Sequence, residues 1–436
     1  MSDETHLADC GCDEYNELTR RQFLGGAAMF SAAAMFPAWL PKVVMSNHYA
    51  SDRDIIVSIF LRGAADGLAI VAPYADKTYY AARPTIGIPR PDDTTHLANE
   101  RAIDLDGFFG FANGMGGLVP AFAAKDLLIA HGVGIQNNTS RSHFDMQRFM
   151  EVGKPADPSL VTGWLGRHLA SMPPLVPNAL LRGVGIANGL QKTLVGAPKT
   201  LPIADPTNYS IGGSATTQAS RLAFMQADYA AADAPVGSSA LDAVNTVALL
   251  KSVNFTGYKP QNGAVYPTSS FGKALRSVAA LITNNVGIEA AQVDIGGWDT
   301  HSAQGAFNGG MWKLMQDFSN SLGAFYADIQ SIGAHNVTVV AISEFGRNVR
   351  ENASAGTDHG RGSVMFAMGK GISGGRVITK NWVPSLDRAN LEAGQDLPVG
   401  IDYRDLLSEI VMKRLANPNI DQIFPSWTPA MLGITR

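Results

Sequence analysis

The residues best suited to chemistry in this sequence are aspartates and histidines that occur in pairs beside glycine. Asp299 and His301 are separated by one residue, and Asp358 and His359 are adjacent. Carboxylate oxygens and imidazole nitrogens bind Zn²⁺, Mn²⁺ and related divalent ions. Glycine permits the tight backbone turns that let two such donors converge. The pattern therefore predicts a divalent metal site, for Zn²⁺, Mn²⁺, Mg²⁺ or Ca²⁺, with these four residues as ligands.

Other segments supply further candidates for the same site. Asp66 and Glu344 each follow an apolar run and have carboxylates of the kind that bind such ions, although Asp66 could equally be a turn residue. His143 is a candidate ligand or acid–base catalyst. Arg347 has the planar guanidinium that suits an anionic substrate group. Its alternative is an ion pair with Glu344 that pins the loop.

These residues need a scaffold that brings distant segments together. Short apolar runs without strict alternation are typical of strands that are covered on both faces, as in a parallel sheet. Ligands of open α/β sheets gather beyond the carboxyl ends of the strands, which is where most of the candidates fall. The runs predicted as strands span residues 55–61, 127–130, 293–295, 337–342 and 364–368.

Helical patterns lie between these runs. Asp402 is predicted to cap a late helix, and residues 205–270, rich in small residues, are predicted as a helical excursion. The alternation of strands and helices predicts a three-layer α/β/α sandwich with a mainly parallel central sheet. The clearest helix has six apolar residues spaced four or three apart, on one face: Met311, Met315, Phe318, Leu322, Phe325 and Ile329.

The first residues are predicted to be an export signal. The pair Arg20-Arg21 precedes an apolar, alanine-rich stretch at 25–40, as in bacterial twin-arginine signals. A membrane anchor is the alternative, but the stretch is short and rich in alanine and glycine. Cleavage after residue 46 leaves a mature domain at 47–436 with no stable membrane span. The expected location is the periplasm or the exterior, and the expected partner is the twin-arginine translocation machinery.

Composition excludes several classes of protein. The chain is 46% hydrophobic and 17% charged, so it can build a large core. Its 34 basic and 38 acidic residues give a net charge of −4, which offers no electrostatic footprint for nucleic acid. Both cysteines, Cys10 and Cys12, lie in the predicted signal. A disulfide scaffold and a cysteine-built metal site are therefore excluded.

Several of these segments together resemble the family called domain of unknown function 1501. That family is grouped with the alkaline phosphatase–sulfatase superfamily. The resemblance implies an alkaline phosphatase-like α/β/α sandwich with a metal centre at the strand ends, and it extends over nearly all of the mature chain. The segments that resemble the family are residues 62–67, 142–145, 297–301, 343–347 and 358–360.

The same resemblance implies individual site residues. Ser142 is the nearest counterpart of the superfamily nucleophile, although its surroundings match that motif poorly. Glu344 stands where the superfamily often has an aspartate followed by histidine, so one imidazole ligand is lost and one carboxylate is kept. Asp358 is implied either as a ligand or as the residue that orients a ligand. The implied metal ligands are Asp66, Asp299, His301, Glu344, Asp358 and His359.

Together these features lead to an expected function. The chain is expected to be an exported, metal-dependent hydrolase-like protein that acts on a phosphate or sulfate ester, either an anionic small molecule or a glycan ester. The alternative is a non-enzymatic exported binding protein that keeps the fold and a structural metal ion. The altered position of Glu344 favours the alternative, and the Asp/His pairs favour the enzyme.

Overall fold

The predicted apolar runs form strands. The computed structural model describes residues 53–233, 236–330 and 336–436. The strands are β1 Ile55–Leu61, β2 Val71–Ala72, β3 Ile103–Asp104, β4 Gly110–Phe111, β5 Leu127–Gly134, β6 Gly183–Gly185, β7 Thr200–Pro202, β8 Ala290–Ile295, β9 Val337–Ser343, β10 Ser363–Met368, β11 Arg376–Ile378 and β12 Ile401–Asp402.

Nine of these strands make one central sheet, in the order β11-β5-β10-β9-β1-β8-β6-β7 with β12 also beside β5. β1 pairs in parallel with both β8 and β9. Within the described part of this sheet, only β10 is reversed, and it is antiparallel to both β9 and β5. The predicted α/β class and the mainly parallel sheet are confirmed. β2, β4 and β3 form a separate small antiparallel sheet.

Helices connect most of the strands. Five of the six predicted core residues lie in the helix Gly310–Phe325, and the sixth, Ile329, lies in the π-helical turn Tyr326–Gln330 that follows it; all six are buried. The Asp402 side chain accepts a hydrogen bond from the backbone N–H of Arg404 and so caps the helix Tyr403–Lys413, as predicted. The helices are α1 Gly67–Ile70, α2 Lys77–Ala82, α3 Val119–Ala123, α4 His143–Val152, α5 Trp164–Ala170, α6 Gln218–Ala230, α7 Val236–Ser252, α8 Ser270–Thr283, α9 Gly310–Phe325, α10 Tyr403–Lys413 and α11 Ile420–Ile423.

Both faces of the central sheet are covered by helices. Side chains alternate along β1, so Val57 and Ile59 pack into a core that includes residues of α8 and α9. Ile56 and Phe60 pack into a second core that includes residues of α4, α5 and α10. Each fully buried side chain of this size stabilises the fold by about 1.5–3 kcal/mol. Two cores on opposite faces explain why the strand sequences show no polar alternation.

The directions of the strands bring the candidate residues to one edge of the sheet. β1, β8 and β9 run the same way, so their last residues, Leu61, Ile295 and Ser343, lie at the same edge. Because β10 is reversed, its first residue, Ser363, also lies at this edge. The segment before β10, which contains His359, therefore reaches the edge where the other loops begin. A strand buried on both faces gives no sequence sign of its direction.

The chain divides into two compact units. One contains the described residues 53–209, 249–330 and 336–436, and the central sheet lies in it. The other contains the described residues 210–233 and 236–248, with α6 and most of α7. Across the described ranges, no helix combines the length and apolar character needed to cross a bilayer. The predicted signal at 1–46, with both cysteines, lies outside those ranges.

Because one histidine, His168, is buried, we expect the folded protein to be less stable in mild acid. Burial, together with a smaller effect of the nearby charges of Arg53 and Arg182, lowers the pKa of His168 to about 3. Below about pH 6.5 the His168 side chain takes up a proton in the unfolded chain but stays neutral in the folded chain. We therefore expect the free energy of unfolding to fall by up to about 1.4 kcal/mol per pH unit below pH 6.5 from this residue alone.

Urea unfolding at pH 7 and pH 5 measures this effect. In the His168→Gln variant the side chain cannot take up a proton. The free energy of unfolding of the variant should therefore fall less between pH 7 and pH 5 than that of the parent. Equal declines in the two proteins contradict the prediction.

Candidate metal centre

Three histidine side chains meet at the edge of the sheet where β1, β8 and β9 end. The Nε2 atom of His359 lies 3.0 Å from Nε2 of His143 and 3.0 Å from Nε2 of His301. Oδ1 of Asp299 lies 3.1 Å from Nε2 of His301 and 3.3 Å from Nε2 of His359. Oδ2 of Asp299 lies 3.7 Å from Nε2 of His143. We call these four residues the histidine–aspartate cluster.

The other nitrogen of each ring fixes its protonation. Every Nδ1 atom faces a carbonyl or carboxylate oxygen, which accepts a hydrogen bond and does not donate one. These acceptors favour the neutral tautomer that is protonated at Nδ1, and in that tautomer Nε2 has a lone pair. The converging atoms are thus the three unprotonated nitrogens. The Nδ1 contacts are those of His143 with Oε1 of Glu344 (2.8 Å), His359 with the carbonyl oxygen of Arg141 (2.9 Å) and His301 with Oδ1 of Asp358 (3.1 Å).

This arrangement fits a metal ion. Unprotonated nitrogens and a carboxylate oxygen at these separations repel one another unless a cation lies between them. An ion 2.0–2.1 Å from each imidazole sets the nitrogens about 2.9–3.4 Å apart, which matches the observed spacing. His143, Asp299 and His359 form a group that could hold a metal ion. Three nitrogen ligands suit Zn²⁺ and other transition ions better than Mg²⁺ or Ca²⁺, which prefer oxygen.

The carboxylates at the centre are held in their ionised form. Burial acts to raise the pKa of Glu344, but hydrogen bonds from His143, Gln147 and the backbone of Gly63 lower it to about 2. Partial burial also acts to raise the pKa of Asp299, and the guanidinium of Arg347 outweighs it and lowers that pKa. Negative charge next to three imidazoles favours a bound cation.

The cluster is open to solvent. The exposed fractions of the side chains are 24% for His143, 22% for His359, 44% for His301 and 46% for Asp299. Structural zinc sites are usually closed by four buried protein ligands, whereas catalytic sites leave a position for water or substrate. The exposure of all four residues therefore favours a site that a small molecule can reach.

Comparison of the sequence with family models identifies the family. The model described as "Protein of unknown function (DUF1501)" matches residues 53–410, which include the whole cluster. The chain belongs to the DUF1501 family. A search of curated proteins finds no match.

In this DUF1501 protein, Arg347 does not face the solvent as a substrate-binding residue would. Its guanidinium is fully buried and donates to the backbone carbonyl oxygens of Gly63, Ala64, Trp298 and Thr357. It also donates to Oδ1 of a cluster residue, Asp299. The carboxylate that pairs with Arg347 is thus Asp299 and not Glu344, the partner considered from the sequence. The residue joins the loops after β1, β8 and β9 and neutralises a carboxylate of the cluster.

Two predicted metal ligands instead hold the histidines in place. Glu344 is buried, and its Oε1 accepts from Nδ1 of His143 at 2.8 Å and from Nε2 of Gln147 at 2.9 Å. Asp358 is exposed, and its Oδ1 accepts from Nδ1 of His301 at 3.1 Å. Carboxylates in these positions orient a metal-binding ring and raise its basicity. His143, considered above as an acid–base catalyst, is placed as a ligand candidate.

Ser142, the predicted nucleophile, caps a helix in this family member. It is the residue before α4, and its Oγ accepts a hydrogen bond from the backbone N–H of Asp145. A cap of this kind satisfies one of the free N–H groups of the first turn. The sequence Ser-x-x-Asp before an amphipathic segment is itself a capping signal. Its hydroxyl makes no hydrogen bond to a histidine of the cluster.

Asp66, another predicted ligand, lies in a buried ion pair. Its two carboxylate oxygens accept from Nη1 and Nη2 of Arg83 at 2.6 and 3.0 Å. Oδ2 also accepts from Nε2 of Gln304 at 2.8 Å. Arg83 and Asp66 are both about 1% exposed. With both oxygens engaged in this way, Asp66 stabilises the loop after β1 rather than joining the cluster.

Backbone geometry lets the loops approach one another closely. Gly63 has a φ of +115°, and a Cβ atom built there would lie 2.7 Å from the backbone nitrogen of Asp299. Only glycine accommodates both the angle and the contact.

Gln147 was not predicted from the sequence. Its position four residues after His143 on α4 was the available signal, because residues at this spacing share one face of a helix.

Proposed function

We propose that this protein is an exported, metal-dependent hydrolase that acts on phosphate or sulfate esters. The single observation that supports this is the convergence of three imidazole Nε2 atoms beside the Asp299 carboxylate, in a position open to solvent. Each ring is oriented through Nδ1 by an oxygen acceptor, as is usual for metal-binding histidines.

The proposed ligands are His143, His301, His359 and Asp299. A divalent ion held there would supply a Lewis acid beside the ester oxygens and make ionisation of an attacking water easier. Glu344 and Asp358 hold two of the rings in the tautomer that leaves Nε2 free. Because Ser142 is a helix cap, we propose direct attack by water rather than a covalent intermediate on serine.

Loss of the cluster carboxylate is expected to remove turnover. The change Asp299→Asn keeps the shape of the side chain but removes a negative charge from the ligand set and from the contact with Arg347. We expect the rate of ester hydrolysis to fall at least about a hundredfold, since even residues that only orient metal ligands contribute 10–100-fold. The measurement is a panel of phosphate monoesters, phosphate diesters and sulfate esters, with Zn²⁺, Mn²⁺, Mg²⁺ or Ca²⁺ supplied in turn.

The matched control for this experiment is Ser142→Ala, which is expected to leave the turnover rate nearly unchanged because the hydroxyl caps a helix. Turnover that survives Asp299→Asn indicates a contaminating enzyme. No turnover on any ester by metal-loaded protein contradicts the hydrolase proposal.

A binding protein is the second candidate. It is favoured by one observation: the predicted nucleophile Ser142 and the predicted anion-binding residue Arg347 are both used in holding the structure together. In this case the cluster holds a structural ion, and the open face binds a glycan or another exported protein. Full metal occupancy together with no turnover of any ester in the panel supports this candidate.

We also propose that the fold belongs to the alkaline phosphatase–sulfatase superfamily. The support is the mainly parallel sheet with helices on both faces and the position of the cluster at the carboxyl ends of β1, β8 and β9. The retained Asp299 and His301 pair after β8 agrees with the ligands that the resemblance implies. An experimental structure of the metal-loaded protein tests this placement through the ligands and number of bound ions.

Export is proposed to depend on the arginine pair. Twin-arginine signals are recognised through two guanidinium groups, and lysine lacks their planar fork. Replacement of Arg20 and Arg21 by lysine is therefore expected to leave the precursor in the cytoplasm. Cell fractionation followed by immunoblotting measures the distribution. Unchanged delivery of the double variant to the periplasm contradicts the assignment of the signal.

A further inference from the structure

We propose that Arg141 binds the anionic group of the substrate at the histidine–aspartate cluster. This inference rests on the proposed function, and it names an oxyanion such as a phosphate or sulfate group as the chemical class that is recognised. Arg347 is the residue that the sequence suggested for binding an anionic group. In the structure its guanidinium donates to backbone carbonyl oxygens of the protein instead.

The backbone of Arg141 is part of the centre. Its carbonyl oxygen accepts the hydrogen bond from Nδ1 of His359 at 2.9 Å, so the residue adjoins the central ring of the cluster. Two residues further along the chain is His143, another member of the cluster. Arg141 is therefore connected to two candidate ligands: to His143 by its position in the sequence, and to His359 by a hydrogen bond.

The guanidinium of Arg141 is held in place. Its Nη2 atom donates to Oδ2 of Asp396, a carboxylate that is 1% exposed. The other oxygen of Asp396 accepts from Nδ2 of Asn348 at 2.6 Å, and the same Nδ2 donates to the backbone carbonyl of His359 at 2.9 Å. The side chain is thus tied to the backbone of the cluster. Fixing a long side chain in advance reduces the entropy lost when a ligand binds.

Donors remain available on this guanidinium. Its side chain is 39% exposed, and within the described ranges of the chain no protein acceptor lies within hydrogen-bond distance of Nε or Nη1. A guanidinium with one edge anchored to a carboxylate and other donors open to solvent can donate to two oxygens of a phosphate or sulfate.

The experiment measures binding of inorganic phosphate to the Zn²⁺-loaded protein by isothermal titration calorimetry, so it does not depend on turnover. We expect Arg141→Gln to weaken phosphate binding by about tenfold to a hundredfold, the range for hydrogen bonds to charged groups. Bound zinc should stay unchanged. Arg141→Lys keeps the charge opposite Asp396 but loses the fork, so its affinity should fall between those of the parent and the glutamine variant.

Two further variants control for folding and for general charge. Arg141→Gln combined with Asp396→Asn removes both members of the ion pair, and it is expected to fold and to bind phosphate as weakly as the single variant. Arg90→Gln is the matched control, because Arg90 also pairs with an aspartate and its side chain is 43% exposed. It should bind phosphate like the parent.

The outcomes separate this inference from the proposed function. Phosphate binding that is the same in the parent, in Arg141→Gln and in the double variant overturns the inference, even if the parent hydrolyses esters. An absence of phosphate binding by the parent overturns it as well. Phosphate binding that depends on Arg141 in a protein that hydrolyses no ester supports the anion site and contradicts the hydrolase.

Discussion

The His359→Ala variant is expected to lose its divalent metal, with a drop in affinity of more than about a hundredfold. The ring is central to the cluster, since its Nε2 lies 3.0 Å from the same atom of both other histidines and 3.3 Å from Oδ1 of Asp299. Metal analysis of the purified parent should give about one ion per chain, and the variant should give almost none.

Thermal unfolding supplies an independent measurement of the same loss. A ligand present at a hundred times its Kd stabilises a protein by about 2.7 kcal/mol, so added Zn²⁺ should raise the Tm of the parent and leave that of the variant unchanged. The matched control is His96→Ala, because His96 pairs with an aspartate, Asp93, at 3.0 Å elsewhere on the surface. If His359→Ala retains full metal, the ligand assignment is wrong.

The Asp66→Asn variant is expected to have the largest effect on stability while leaving the metal content unchanged. It removes the only carboxylate that contacts the Arg83 guanidinium in the described structure, and that side chain is completely buried. Breaking a buried ion pair leaves an uncompensated charge and costs about 3–5 kcal/mol. Urea unfolding gives the loss of stability, and metal analysis of the folded protein gives the occupancy.

The combination of these two readouts distinguishes the two assignments of Asp66. If it were a metal ligand, as its sequence context implies, the substitution would lower metal content together with stability. Asp92→Asn provides the comparison, because Asp92 also pairs with an arginine but lies on the surface, where such pairs contribute little. A stable Asp66→Asn variant that has lost its metal restores Asp66 to the ligand set.

The fold class was accessible from sequence because burial on both faces leaves a clear mark. The runs of β1 and β9 are apolar at nearly every position, and the five periodic apolar residues of α9 are all buried. The reversal of β10 was not accessible. Its residues are buried on both sides in either orientation, so its direction depends on partners β5 and β9, which lie far away in the sequence.

The residues of the site were easier to predict than their positions within it. Asp, Glu and His can either bind an ion or orient a ligand, and the choice depends on distances of a few ångströms between loops. Glu344 thus follows its strand as predicted, yet its oxygens contact His143, Gln147 and the backbone of Gly63. Arg347 was singled out for its guanidinium, but its burial under three loops depends on the tertiary structure.

The position of β1 at the centre of the sheet has a consequence for biosynthesis. Its register partners are Ala290 for Ile56 on one side and Val337 for Ile55 on the other, so this early strand has no neighbour until most of the chain has left the ribosome. Pairing over such distances is slow, and the waiting strand exposes apolar edges that invite aggregation. Folding must therefore be largely post-translational, and the nascent chain is expected to need a chaperone that shields residues 55–61 until their partners emerge.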